Sequence, residues 1–229
     1  QEEGLTAVQE AVGHYRALAE ANPDAYLPDL AMALNNLSVD LGDAGRREEG
    51  LTAVQEATGH YRALAEANSD AHLPNLARAL SNLSVQLGDA GRREEGLTAV
   101  QEAVKIRRTL AEANPDAYLP DLAMDLNNLS VDLGDAGRRE EGLTAIQEAV
   151  KIRRTLAEAN PDAYLPNLAS SLNNLSIQLS DAGRREEGLT AVQEAVTICR
   201  TLAEANPNLF GPALQESLDT AAWLERLGP

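Results

Sequence analysis

The string Glu-Glu-Gly-Leu-Thr-Ala occurs five times in this chain, with its glycine at positions 4, 50, 96, 142 and 188, a constant step of 46 residues. No other feature constrains the fold as much. A unit recurring at this period packs mainly on its neighbours, so the chain reads as one quasi-linear array and not as a set of globular domains. The copies are close. Windows 1–46 and 47–92 differ at eight positions, and windows 93–138 and 139–184 at seven. Window 185–229 follows the pattern to Pro207 and then diverges. Two positions alternate, Asp29/Asn75/Asp121/Asn167 and Asp40/Gln86/Asp132/Gln178, as if the array had grown in two-repeat blocks.

Each repeat encodes two helices. In 27–41, Leu30, Leu34, Leu37 and Leu41 recur at intervals of three and four, the spacing of one helical face. Pro28 suits a first helical turn and Asp29 the positive end of the dipole. The segment Gly42-Asp43-Ala44-Gly45 ends this first-type helix, because glycine tolerates a left-handed terminus. A second-type helix follows from about 46 to 66, with the stripe Leu51, Val54, Ala57, Tyr61 and Leu64. Asn68-Ser69, or Asn22-Pro23 one repeat earlier, closes it. Applying the period gives an all-α chain of about ten helices. A lone second-type helix fills 1–22, four full repeats fill 23–68, 69–114, 115–160 and 161–206, and a capping helix fills 207–229.

Charge removes several functions. The net charge is −17, from 19 Lys+Arg against 36 Asp+Glu. It argues against nucleic acid and against an anionic membrane surface, both of which need cations on the protein. By window the charge runs −6, −2, −4, −1 and −4, so odd windows are the more acidic. Only 3% of residues are aromatic, which leaves the core to Leu, Ala and Val. No apolar run approaches a membrane span, and Cys199 is the single cysteine, so no intrachain disulfide is available. A cytoplasmic location is expected.

Set against Leu34, the repeat reads Leu34-x2-Leu37-Ser38-x2-Leu41, Gly45, Gly50-x3-Val54-x2-Ala57. This resembles the tetratricopeptide repeat, W-x2-L-G-x2-Y…A-x3-F…A, with aliphatic residues for the large ones. The long period and the Leu-Asn-Asn-Leu string look most like the repeats of kinesin light chains, and similar arrays occur in bacterial signalling proteins. The resemblance covers essentially the whole chain. It implies an α-solenoid of antiparallel helix pairs wound as a right-handed superhelix, with first-type helices lining a concave groove that binds protein or peptide.

The resemblance maps groove positions onto 32, 35, 36, 39 and 43 and their equivalents. The amides of Asn36, Asn82, Asn128 and Asn174, with Asn35, Asn127 and Asn173 one step before, match the N–H and C=O of an extended peptide. Val39, Val85, Val131 and Ile177 offer an apolar floor. The other variable position carries Met32, Arg78, Met124 and Ser170, so Arg78 is the one cation expected there. With Asp43, Asp89, Asp135 and Asp181 nearby, the guest should be neutral or basic. A competing reading makes the asparagines an internal ladder between repeats. Asn is a mediocre helix former, so either role would explain four mid-helix copies.

Other residues have plainer readings. His14 and His60 stand where later copies carry Ile106, Ile152 and Ile198, so packing is expected, and so for His72, which replaces Tyr26. None has Cys or His partners at metal-ligand spacing. Cys199 replaces Tyr15, Tyr61, Arg107 and Arg153 and is expected to be semi-exposed and oxidisable, though not a specially reactive thiol. The recurring Glu48-Glu49 pair beside Arg46-Arg47 suits a helix start. No phosphate loop or catalytic triad is present. No enzyme, metal or cofactor is therefore expected. The family's small alanine at the helix crossing is glycine here (Gly4, Gly50, Gly96, Gly142, Gly188) opposite Ser38, Ser84, Ser130 and Ser176. Simple copying is the preferred account of that glycine, and a required close approach is the alternative.

The chain opens mid-repeat without Met, so it reads as a segment of a longer protein, with Leu5, Val8 and Ala11 exposed on its first helix. Phe210 and Trp223 are the only Phe and Trp and are expected to seal the last repeat, with Trp223 as an exposed anchor for a partner the alternative. An open second-type helix at one end and a first-type helix at the other also suggest head-to-tail self-association. The expected function is a non-catalytic peptide- or protein-binding scaffold, the sensor or adaptor part of a signalling protein. The alternative is a structural, self-associating spacer.

Overall fold

The computed structural model describes residues 2–227, with side chains described from residue 4. Gln1, Gly228 and Pro229, which fall in the expected first and last segments, lie outside the described residues. Ten helices account for the rest: α1 (Glu2–Ala21), α2 (Pro23–Asp43), α3 (Arg47–Ala67), α4 (Ser69–Asp89), α5 (Arg93–Ala113), α6 (Pro115–Asp135), α7 (Arg139–Ala159), α8 (Pro161–Asp181), α9 (Arg185–Ala205) and α10 (Pro207–Arg226). Even-numbered helices are first-type and odd-numbered ones second-type. No strand occurs among the described residues.

First-type helices start earlier than the sequence suggests. They begin at residue 23 and its equivalents, so Pro28 sits inside α2 and not at its start. A single asparagine separates each second-type helix from the next. The side-chain oxygens of Asn68, Asn114 and Asn206 accept from the N–H three residues on, at 3.3, 3.3 and 3.2 Å, which satisfies one orphan donor of the new helix. α4 begins with Ser69 where its counterparts have proline, yet starts at the same place. The asparagine is the constant feature of this boundary: α4 starts there without a proline, and α2 starts there without a side-chain bond from Asn22. Pro28 is tolerated because the one bond it forfeits lies near the helix start.

The other end is built as the glycines foretold. Gly45, Gly91, Gly137 and Gly183 have φ of 75 to 76°. Beyond each, an arginine N–H reaches back to a leucine carbonyl, Arg46 to Leu41 and Arg138 to Leu133, both at 2.8 Å. The glycine N–H bonds three residues back, Gly45 to Gly42 at 2.9 Å. This pairing closes a helix through a left-handed glycine.

The chain divides into two compact units, 1–113 and 114–229. In the first unit one core layer joins Val12, Leu30, Leu34, Leu37 and Leu41 to Ala53 and Ala57. The next joins Leu51, Val54 and Tyr61 to Leu76, Leu80, Leu83, Leu87 and Ala99. Leu5 and Val8 of α1 pack against the first layer and are half-buried, as is Ala11, so they are less exposed than expected. The second unit repeats the scheme with Leu122, Leu126, Ile146, Leu168, Leu172 and Val192 all buried. Within a unit, first-type neighbours touch directly, α2 with α4, α6 with α8 and α8 with α10. Second-type neighbours are bridged by long side chains: Arg16–Glu56, Arg62–Glu102 and Arg154–Glu194.

The crossing glycine is required at three of its five positions and tightly fitted at a fourth, Gly96. A Cβ would stand 2.9 Å from Ser38 O at Gly50, 3.0 Å from Ser84 O at Gly96, 2.9 Å from Ser130 O at Gly142 and 2.7 Å from Ser176 O at Gly188. Each is backbone that cannot swing away. At Gly4 nothing lies within 4 Å. Copying alone therefore does not account for the glycine, and close approach of the two helices does.

Candidate functional site

One face of the first-type helices is apolar and open to solvent. Val39, Val85, Val131 and Ile177 occupy one repeat position and are 41, 51, 42 and 37% exposed. Met32 and Met124, two turns before, are exposed too. Trp223 holds the same position on α10, and Leu227 follows one turn on. Eleven large hydrophobics are exposed among the described residues, and only Leu18, Leu209 and Leu218 lie off this face. Exposed leucines scattered singly need no explanation, whereas a patch at one helical position in every repeat does. Arg78 lies on this face, exposed, with Nη2 3.4 Å from Asn75 Oδ1. Asp43, Asp89, Asp135 and Asp181 are exposed at the helix ends.

The expected asparagines split into two groups. Asn36 is exposed and Asn128 half-buried. Asn82 and Asn174 turn back toward the preceding repeat. Asn82 Nδ2 donates to Asn35 Oδ1 and Asn174 Nδ2 to Asn127 Oδ1, each at 3.1 Å. Asn35 and Asn173 do not line the face: they are 2% and 6% exposed. Asn173 Nδ2 donates to Ser217 Oγ at 2.9 Å, and Asn127 also accepts from Ser171 Oγ at 3.0 Å. The physical reason is one residue of helical rotation, about 100°, which turns position 35 into the neighbouring helix and leaves position 36 outward. The inter-repeat reading thus holds for Asn82 and Asn174, and for the buried Asn35 and Asn173.

The alternating Asp/Gln position contributes an interaction that the sequence did not disclose. Gln86 and Gln178 are buried, and each Nε2 donates 3.0 Å to a carbonyl of the preceding repeat, Ser38 O and Ser130 O. Each side chain lies against a glycine: a Cβ at Gly42 would meet Gln86 Nε2 at 2.7 Å, and one at Gly134 would meet Gln178 Nε2 at 2.6 Å. Gly88 has open space, and the matching position 180 is serine. The alternation was readable as charge but not as a wedge, because nothing in one repeat says which glycine it faces. Asp132, at the same position in the third repeat, is half-buried, and burial with the nearby Asp135 carboxylate pushes it up to about 6.

The remaining candidates are structural. His60 is half-buried, its Nε2 3.7 Å from Glu56. His14 is exposed because α1 packs chiefly on α2. Cys199 is buried, not semi-exposed, with Sγ 3.6 Å from Ser217 Oγ. Glu49 pairs with Arg46 at 2.6 Å on the surface, and that hydrogen bond holds its carboxyl below the usual range. No cluster of metal-ligating side chains occurs among the described residues. No described helix is long and apolar enough to cross a membrane. At the far end Leu224 is fully buried and Phe210 half-buried, whereas Trp223 is 37% exposed. The seal expected of Trp223 is made by its neighbour.

Residues 124–162 and 168–207 match the tetratricopeptide repeat family. No curated protein matches the chain by sequence. Among solved structures, the fold resembles that of BtubC (BKLC) from P. vanneervenii, with a TM-score of 0.66 and 17% identity over 98% of this chain and 89% of that one. It resembles a putative kinesin light chain of Podosopora anserina with nearly identical TPR-like repeats, at TM-score 0.61 and 14% identity over 86% and 96% of the two chains. MamA gives 0.56 and 13% over 86% and 91%. At these identities the likeness is one of fold: an all-α solenoid of antiparallel helix pairs.

Proposed function

We propose that this tetratricopeptide-type array is a non-catalytic scaffold that holds an extended peptide or protein segment on the exposed face of its first-type helices. Repeats of this family serve generally as protein-interaction scaffolds. The observation that carries the reading is the recurrence of an exposed aliphatic side chain at position 39, 85, 131 and 177. A helix with no partner to meet would gain solubility from a polar residue there. Asn36 and Asn128 supply amides for the guest's backbone. The carboxylates at 43, 89 and 181 favour a guest that is neutral or basic. A place as sensor or adaptor part of a larger cytoplasmic signalling protein is consistent with such a face.

The test is a peptide array probed with the wild-type chain and with a Val85→Asp, Val131→Asp double variant. The variant should lose the wild-type spots while keeping its helical circular dichroism, because both side chains already face solvent. The competing reading, a self-associating spacer, draws on the ladder bonds of Asn82 and Asn174. It expects identical arrays for the two proteins and a mass that rises with concentration in light scattering.

A further inference from the structure

We propose that Trp223 is the aromatic anchor of the second unit's face, and that its guest is a peptide presenting an arginine or lysine to the indole beside an aliphatic residue. The proposal rests on the peptide-binding reading above and assigns the guest's chemistry. α10 is the helix in which the repeat sequence is abandoned after Pro207, so copying did not hold its residues in place. Even so, the position of Val39, Val85, Val131 and Ile177 stays apolar and becomes the largest side chain available. Trp223 is as exposed as Ile177, at 37%.

The ring is not a seal. Leu224, beside it, is fully buried and does that work. The helix that carries Trp223 is held at both levels: Asn173 Nδ2 bonds Ser217 Oγ at 2.9 Å, and Arg185 donates to the carbonyls of Leu224 and Glu225 at 2.8 and 3.1 Å. The indole is therefore presented by a fixed backbone. Its surroundings on the face are acidic. Glu216, two turns before, and Asp181, at the end of α8, are both exposed. Asp219 accepts from Gln215 at 2.9 Å, and Arg226, one turn after, is bonded back to Ala222 O at 3.1 Å. The second unit's equivalents of positions 32, 36, 39 and 43 hold no Lys or Arg. An aromatic face flanked by carboxylates and short of cations attracts a guanidinium or ammonium, through the ring quadrupole and the charges together.

Trp223 is the chain's only tryptophan, so its emission reports on this position alone. The probe is a capped octapeptide alternating leucine and arginine, compared with leucine–glutamine and leucine–glutamate versions, each titrated by calorimetry and by tryptophan fluorescence. The arginine peptide should bind, shift or quench the emission saturably, and lose roughly fivefold in affinity in Trp223→Leu, the size of one cation–π contact. Trp223→Phe, which keeps a ring, should lose less. Binding by calorimetry with unmoved emission and equal affinity in both variants overturns the anchor while leaving the peptide-binding reading intact. Equal binding of the glutamate peptide overturns the charge preference. Heat from none of the three peptides sinks the anchor and counts against the peptide-binding reading as well.

Discussion

The two compact units solve the same packing step with different chemistry. In the first, Tyr61 is buried opposite Ala79, which is fully buried. Burial pushes the phenol up, against an opposing pull from Arg78. In the second, the equivalent residues are Arg153 and Ser171. Arg153 donates to Asn167 O at 2.7 Å and to Ser171 Oγ, and Ser171 donates to Asn127 Oδ1 at 3.0 Å, the oxygen that also accepts from Asn174. Burial lowers Arg153 to about 10. The tyrosine step is filled by area, whereas the arginine step is held by a chain of donors and acceptors. The lesson is that the repeat fixes a volume and a backbone separation, and its interior can be oily or polar provided both partners change together.

That contrast can be broken in stages. The largest loss is expected from Tyr61→Ala, about 4 kcal/mol, because a ring is removed from a close-packed layer; a chemical melt of the chain reads it. Gly50→Ala should cost about 2 kcal/mol through the clash with Ser38 O, whereas Gly4→Ala, in open space, should gain up to about 1 kcal/mol of helix propensity. If both substitutions stabilise, the close approach is not needed. Ser171→Ala leaves the buried guanidinium short of an acceptor and should cost about 2 kcal/mol. Adding Arg153→Tyr, which installs the first unit's pair, should recover most of that; a double cycle showing simple additivity would refute the coupling.

The smallest expected effect is one of pH. Asp132 in the folded chain titrates near 6, above the ordinary 3.8. A raised carboxyl favours the folded state while protonated. Its contribution is complete below pH of about 4 and is lost as pH rises through about 6. Asp132→Asn should flatten the melting temperature across that window, and an unchanged profile would show that Asp132 is not the group responsible.

Much of this was legible from the sequence. The period located the helix pairs, and the glycines at 45, 91, 137 and 183 marked the first-type helix ends because a left-handed residue is a local requirement. The exposed face followed from the mapped positions. What failed concerned direction and partners. Pro28 looked like a helix start because proline is common there, although the helix begins directly after Asn22, six residues earlier. Asn35 and Asn36 are adjacent letters but face different surroundings. The glutamine wedge and the tyrosine–arginine exchange need knowledge of which repeat positions oppose each other, which no single repeat contains. Cys199 and Trp223 were misjudged for the same reason, since burial depends on the neighbouring helix.

On the proposed function Asn36 and Asn128 bind the guest, while Asn82 and Asn174 bond between repeats. Parallel melts and peptide titrations of Asn36→Ala, Asn128→Ala, Asn82→Ala and Asn174→Ala test this division most directly. Unchanged melts and weakened peptide binding are expected for the first two. For the last two a loss of stability of about 1 kcal/mol each is expected, the worth of one side-chain hydrogen bond. Equal stability losses at all four positions, with peptide binding untouched, would contradict the division.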